Sequence, residues 1–458
     1  MPEGGGEEGY RVVVGLGHSG LACAHWLHAR QIPFVVADTR AVPPMLAELR
    51  RLCPGVEVVC GPLDGRLLCR AQSLVVSPGL SLQEPAIRKA REQGVAVAGD
   101  VELFCQQIQA QPAPRVPIIA VTGSNGKTTV TRLLESMIRL AGVPAWVGGN
   151  IGTPVMNLLT DPRPSLCILE LSSFQLETTQ SLRAQAAVVL NLAQDHMDRY
   201  DTFDDYVQAK QRIYTGCRYA VYNRDDARTR PADSRACQSL SFGLGVPPGD
   251  EDFGVVHHEG ERWLARGTQT LLPASRLKIR GEHNLGNALA ALALGQCAGL
   301  PLPVMLEALA QFAGLPHRCQ YAGIFRGVRW FNDSKATNPA AAQASIESLG
   351  RESQGRILLL AGGLSKDADF SVLKPAVQRY VRELLVFGAA APLLARALAD
   401  VAPVCQVADM TQAVELAARR ACPGDVVLLA PACSSLDMFD SYEQRGEAFL
   451  QALEVLVD

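Results

Sequence analysis

Charge of one sign is what this sequence most lacks: 43 Lys and Arg oppose 46 Asp and Glu, leaving a net charge of −3. Such balance gives no electrostatic footprint for a nucleic-acid backbone or an anionic membrane surface, so neither is expected as a partner. A membrane-spanning run is missing too. The longest uncharged stretch, 285–306, is interrupted by Asn287, Gln296, Pro301 and Pro303, and before the first proline it is too short to cross a bilayer. It reads as a buried helix. The opening MPEGGGEEGY holds neither a basic nor an apolar segment, so no secretory signal is expected and the chain reads as cytoplasmic. Its 13 cysteines include no C-x-x-C pair, which argues against structural zinc and for buried thiols in a reducing compartment. No period of roughly 20–50 residues recurs, which sets solenoids aside.

What is present is ample apolar material. The 458 residues, 48% of them hydrophobic, suffice for about three domains with separate cores. Short runs of Val, Ile and Leu alternate with helical patterns, as in parallel α/β units. Strand candidates lie at 11–14, 34–37, 73–76, 118–122, 166–169, 187–191, 357–360, 384–387 and 426–429. Two breaks, QQIQAQPAPRVP (106–117) and FAGLPHRCQ (312–320), divide the chain into expected domains 1–106, 107–314 and 315–458.

Two glycine-rich turns follow apolar runs. In IIAVTGSNGKTT, Gly123, Ser124, Asn125, Gly126, Lys127, Thr128 and Thr129 sit between a strand and a helix. Backbone N–H groups at such a helix start favour phosphate oxygens, the lysine adds a point charge, and a threonine hydroxyl can bind Mg²⁺. Val121 stands where the longer form of this motif has a glycine, so the match is G-x-x-G-K-[ST]; a plain glycine turn with a surface lysine is the alternative. The earlier turn, Gly15-Leu16-Gly17-His18-Ser19-Gly20, fits G-x-G-x-x-G, with Asp38 at the end of the next strand as an acid for ribose hydroxyls. NAD would satisfy this loop, but so would any nucleotide diphosphate, or simple close packing of the glycines.

Several single residues stand out. Glu170 ends the apolar run SLCILE, and Asp195 and His196 follow another strand candidate; strand ends are where ligands and metals collect. A hydrated strand-end carboxylate and an ordinary histidine are the plainer readings. Lys210 falls in the middle of a helical stripe of Phe203, Tyr206, Val207, Ile213 and Tyr214. From the residues alone, snorkelling of its ammonium to water is favoured over an amine of lowered pKa.

Taken in order, TGSNGKTT, GGNIGTP (148–154), ELSSFQL (170–176), DHMDRY (195–200), GEHNLGNALAALAL (281–294), GLPHRCQ (314–320), FNDSKATNP (331–339) and PACSSLDMFDSYEQRG (431–446) resemble the Mur ligase family of ATP-dependent amide-forming enzymes. The resemblance covers nearly the whole chain. It implies an α/β fold of three domains: an N-terminal Rossmann-like domain for a UDP moiety, a central P-loop ATPase-like domain with a parallel sheet, and a C-terminal dinucleotide-type domain that closes on ATP and the amino acid. It also implies a ligase that adds D-glutamate to UDP-N-acetylmuramoyl-L-alanine through an acyl phosphate, in peptidoglycan precursor synthesis. ATP is then a co-substrate, two Mg²⁺ ions are expected, and the chain is a monomer.

Carried over by position, the resemblance places Gly17, His18, Ser19, Asp38, Thr39, Arg40 and Gly79 at the UDP moiety, and Asn150, Gln175 and His196 at the rest of that substrate. It gives ATP the loop Gly123–Thr129, with Asn284, Asn287, Arg318 and Asp333. Thr128, Glu170 and His196 become metal ligands, joined by Lys210 as a carbamate; Lys127, Lys210, His196 and Glu170 become catalytic. Lys335, Thr337, Lys366, Ser435, Leu436 and Tyr442 form the amino-acid pocket. The chain departs from the pattern at Gln194, where Glu is common, at AGGLSKDADF around Lys366, and at Tyr442, where Phe is common. The alternatives are a ligase specific for L-glutamate, another Mur-type ligase, a folylpolyglutamate synthetase, or a nucleotide-gated binding protein without chemistry.

Overall fold

The computed structural model describes residues 9–232, 237–279, 281–365 and 367–457. Three sheets follow one another along the chain. The first holds β1 (Arg11–Val14), β2 (Phe34–Asp38), β3 (Val58–Cys60), β4 (Ser73–Val76) and β5 (Ala96–Ala98), all parallel in the order β3-β2-β1-β4-β5. Strand order reverses between β1 and β4, which opens a crevice beyond their carboxyl ends.

The second sheet has nine strands: β6 (Ile118–Thr122), β7 (Ala145–Gly149), β8 (Leu166–Glu170), β9 (Ala186–Val189), β10 (Tyr219–Asn223), β11 (Gln238–Phe242), β12 (Phe253–His258), β13 (Glu261–Arg266) and β14 (Gln269–Pro273). They run β14-β13-β12-β11-β10-β9-β6-β8-β7, parallel from β7 through β12 and antiparallel across β12, β13 and β14. The third contains β15 (Gln320–Phe325), β16 (Val328–Asn332), β17 (Ile357–Gly362), β18 (Val381–Phe387), β19 (Val404–Gln406) and β20 (Val426–Leu429), in the order β15-β16-β20-β17-β18-β19 with only β15 antiparallel.

Every strand candidate corresponds to a strand, four of them residue for residue. The run expected at 187–191 instead spans Ala186–Val189, because Asn191 leaves the ladder to hold the next loop: its side chain accepts from the Asn125 N–H at 2.8 Å and donates to the Asn125 carbonyl at 3.0 Å. The uncharged stretch is a helix, Glu282–Cys297, followed by a second, Leu302–Gln311, after Pro301. Nearly every face of the first is buried, as expected of a helix apolar all round. Among the described residues, no helix is long and apolar enough to cross a membrane.

The cores are unequally joined. Helix His18–Ala29 packs on the short helix Val155–Leu158, and Cys23, Trp26, Met156 and Leu158 belong to one apolar core that runs from the first sheet into the second. The third sheet has separate cores on its two faces.

Candidate functional site

The site begins where β6 ends. From Thr122 the chain turns through Gly123–Gly126 into helix Lys127–Leu140. Gly126 has φ +84°, and a Cβ there would come within 2.3 Å of Asn287 Oδ1, so only glycine lets this loop approach helix Glu282–Cys297. Lys127 Nζ donates to the carbonyls of Gly123 at 2.7 Å and Ser124 at 2.9 Å, which holds its charge over the loop. Ser124 Oγ is 2.8 Å from the Tyr206 hydroxyl and accepts from the Ala193 N–H at 2.9 Å.

Lys210 does not snorkel. It is 2% exposed, because helix Phe203–Gln211 lies over the phosphate loop and turns its apolar stripe inward, ammonium included. Nζ donates to the Gly123 carbonyl at 3.0 Å and to Thr122 Oγ1 at 3.3 Å, and sits 4.9 Å from the Tyr206 ring centre. One carbonyl therefore receives both lysines. Burial above all, and next the charge of Lys127, drive the Lys210 pKa well below the ordinary lysine value, which favours a neutral amine.

Glu170, the last residue of β8, is buried; its Oε1 accepts from Asn150 Nδ2 at 3.0 Å. Its Oε2 is buried and has no hydrogen-bond partner among the described residues. A carboxylate oxygen in that position calls for a donor or a cation. His196 adopts φ +57°, an uncommon conformation for a side-chain-bearing residue, and packs edge-on against Phe174 at 4.8 Å between ring centres. Its Nε2 lies 3.7 Å from Asp195 Oδ2.

From the unit built around the third sheet come Arg318, Asp333, Lys335, Thr337 and Tyr442. Asp333 is buried; its oxygens accept from the Cys319 N–H at 3.1 Å and from the Ser345 hydroxyl. Lys335 Nζ stands 3.8 Å above the Tyr442 ring, and burial, then the charges of Arg318 and Lys127, lower its pKa to about 8. Burial, reinforced by Glu443, pushes the Tyr442 hydroxyl up to about 12, so it stays protonated.

These groups line three neighbouring cavities whose linings overlap in turn. A 690 Å³ cavity at the end of the first sheet gathers Gly17, His18, Ser19, Asp38, Thr39, Arg40 and Gly79 with Asn150 and Gln175 from the second unit. A 610 Å³ cavity shares Asn150, Ile151 and Gly152 with it and holds Ser124, Lys127, Thr128, Glu170, His196, Lys210, Thr337 and Tyr442. A 370 Å³ cavity shares Asn125, Gly126, Arg318 and Lys335 with the second and adds Thr129, Asn284, Asn287 and Asp333. Of the residues assigned to the UDP substrate, His196 alone lines the middle cavity without the first. Ser435 is buried and Leu436 is 65% exposed, and neither lines these three cavities; Lys366 lies outside the described residues.

Asp38 works on its own loop. Oδ2 accepts the Leu16 N–H at 2.6 Å and Arg40 Nη2 at 2.6 Å, while Oδ1 accepts the Arg40 N–H and Nε. Burial alone would raise its pKa, but these bonds outweigh it and hold the carboxyl at about 2. At Gly20 a Cβ would meet the Gly15 carbonyl at 1.9 Å, whereas at Gly17 it would meet nothing within 4 Å. One glycine serves packing, and the other keeps the pocket floor bare.

Sequence reading missed Asn191, Asn223 and Phe242 in the third cavity, and Arg199. Asn223 and Phe242 end β10 and β11, so the strand-end rule would have found them had those strands been recognised. Arg199 donates to the Pro78 carbonyl at 2.9 Å and the Leu80 carbonyl at 2.8 Å, tying the second unit to the rim of the first cavity.

The family models for three successive Mur ligase domains match this chain: the MurD-like N-terminal domain at residues 10–99, the middle domain at 121–295 and the glutamate ligase domain at 317–433. A protein of Pseudomonas putida named UDP-N-acetylmuramoylalanine--D-glutamate ligase is 50% identical over 443 residues, 97% of each chain. The protein of that name from Pseudomonas aeruginosa is 50% identical over 447 residues, 98% of each. Among solved structures, a MurF ligase from Thermotoga maritima in complex with ADP aligns with TM-score 0.63 at 19% identity, covering 98% of this chain and 96% of that one. The UDP-N-acetylmuramate-alanine ligase MurC of Thermotoga maritima gives 0.61 at 18%, covering 98% and 100%. At those identities the likeness speaks for the fold.

Proposed function

The chain belongs to the Mur ligase family, and we propose from that premise that it joins D-glutamate to UDP-N-acetylmuramoyl-L-alanine at the expense of ATP. It is an ATP-dependent amide ligase, and the product is a peptidoglycan precursor. The observation that carries the substrate reading is the row of three cavities linked by shared lining residues. A long substrate anchored by its diphosphate at Gly17 and Arg40 would reach past Asn150 to present a carboxylate beside the phosphate loop, with the nucleotide entering from the opposite side.

A free carboxylate is a poor acyl donor, because oxide does not leave at neutral pH. Transfer of the γ-phosphoryl group breaks its bond to ADP and forms one to the carboxylate oxygen, and phosphate then becomes the leaving group. Such a transfer depends on alignment and on neutralising charge spread over equatorial oxygens. Lys127 and Arg318 would do that from opposite sides of the seam between the second and third units, where both line the middle cavity. The amine of the incoming amino acid next attacks the acyl carbon, loses a proton, and expels phosphate. Lys335 and Thr337, with Tyr442 packed beneath the ammonium, suit the side-chain carboxylate of an acidic amino acid.

Mg²⁺ fits this arrangement. The unpartnered Oε2 of Glu170 and the Thr128 hydroxyl offer hard oxygen donors beside the phosphate loop. Such an ion would neutralise phosphate charge and orient the reacting oxygens. Among the described residues, no group of three His, Cys, Asp or Glu side chains forms a ready-made metal cage. Nucleotide oxygens would have to complete the shell, as Mg²⁺ commonly arranges. A third donor would come from Lys210: its neutral amine adds to CO₂, forming an N–C bond and releasing a proton, which leaves an anionic carbamate in place of the amine. Lys210→Ala is expected to be nearly inactive and partly rescued by short carboxylic acids; full activity without them would remove the carbamate from the scheme.

The test of the whole reading is phosphate release screened across D-Glu, L-Glu, L-Ala, L-Lys and diaminopimelate with the UDP substrate supplied. Release is expected only with D-Glu. Release with another amino acid, or without the UDP substrate, would replace this function with a relative's or with bare ATP hydrolysis.

A further inference from the structure

We propose that Asn338 is a positioning residue for phosphoryl transfer: its one primary amide, carried by the third unit, bridges the phosphate loop and the Asp195–His196 turn of the second. The proposal rests on the reading above and adds a component to it.

Asn338 immediately precedes helix Pro339–Glu352 and caps it, its Oδ1 accepting the Ala341 N–H at 2.9 Å. That cap fixes the side chain's orientation. The amide nitrogen then faces across the seam, 3.3 Å from Asn125 Oδ1 and 3.4 Å from Asp195 Oδ2, in a position only 6% exposed. Both acceptors belong to working parts. Asn125 is a phosphate-loop residue whose backbone is clamped by Asn191, and Asp195 Oδ1 takes the His196 N–H at 2.9 Å. Bonds of this length leave room to shorten when ligands draw the units together.

The residue type is informative. A helix cap needs only a side-chain oxygen, and Ser, Thr or Asp would provide one as well as Asn. What asparagine adds is the pair of N–H donors, and these point at the seam. The far end of the same helix is tied as well: Arg351 meets Glu282 at 2.7 Å, and Glu282 begins the helix that carries Asn284 and Asn287. A 14-residue helix is about 20 Å long, so it spans the nucleotide cavity, which Ala341, Ala344 and Ser345 line between the two ties.

The experiment compares Asn338→Ser and Asn338→Asp with the parent, measuring kcat, each KM and the unfolding midpoint. Both variants keep the cap and lose the neutral amide, so midpoints are expected within about 2 °C of the parent. For Asn338→Ser, kcat should fall about tenfold with the KM for the UDP substrate unchanged. Asn338→Asp sets a carboxylate against Asp195 and should be weaker still. Its activity relative to Asn338→Ser should rise as pH falls from about 9 to about 6, because a protonated carboxyl regains a donor. Parent-like kcat in both variants, to within about twofold, would overturn the proposal. So would a fall in kcat matched by a fall in midpoint in both, which would mark a capping role alone. A parent inactive with every amino acid would instead sink the functional reading, and this one with it.

Discussion

The two seams of this molecule are made of different material. Between the first and second units, Cys23 and Trp26 on one helix share with Met156 and Leu158 on another a core that does not stop at the boundary. Between the second and third, the contacts include Asn338 with Asn125 and Asp195 and Arg351 with Glu282, and two cavities lie along the seam. Apolar burial is lost in full when a seam opens, whereas hydrogen bonds and exposed ion pairs are largely replaced by water. The first seam is therefore a fixed cradle, which suits a long substrate held by one end. The second has the polar make-up expected of a joint, which would suit a ligase that must admit ATP and an amino acid and then release ADP.

The largest effect is expected at the phosphate loop, and it tests whether the cradle works without the joint. Lys127→Ala should lower product formation by about 10³-fold, while calorimetry finds the UDP substrate bound as before. Loss of that binding together with activity would mean the two seams are not independent. Next comes the apolar seam itself: Trp26→Ala should cost about 3–5 kcal/mol in denaturant unfolding, as truncating a large buried side chain does. A loss below about 1 kcal/mol would show the first seam to be as loose as the second. The smallest change belongs to the joint. Arg351→Ala removes a half-exposed pair worth about 0–1 kcal/mol, so stability should barely move while the KM for ATP rises. An unfolding shift as large as that of Trp26→Ala would erase the contrast.

How much of this could be read from the residues depends on range. The phosphate loop, the strand ending at Glu170 and the first glycine turn are local patterns, and they appear where the apolar runs and glycines put them. Strands β10 to β14 were not recognised, and with them went Asn223 and Phe242 of the nucleotide cavity. Lys210 was misjudged from its residues because a helical stripe shows which side chains share a face but not what covers that face. Arg199 and Asn338 are ordinary polar residues in sequence. Their partners lie 121 positions away at Pro78 and 213 away at Asn125.

By itself, then, the sequence determined the elements and the chemistry each could offer: backbone amides for phosphates, a carboxylate at a strand end, a lysine on an apolar stripe. Tertiary structure decided which of these groups share one volume, how far water is kept from them, and which seam is apolar and which polar. Those outcomes depend on burial and on contacts between distant segments, and no local spacing encodes either. The depressed basicity of Lys210 and the unpartnered oxygen of Glu170 exist only because other parts of the chain enclose them.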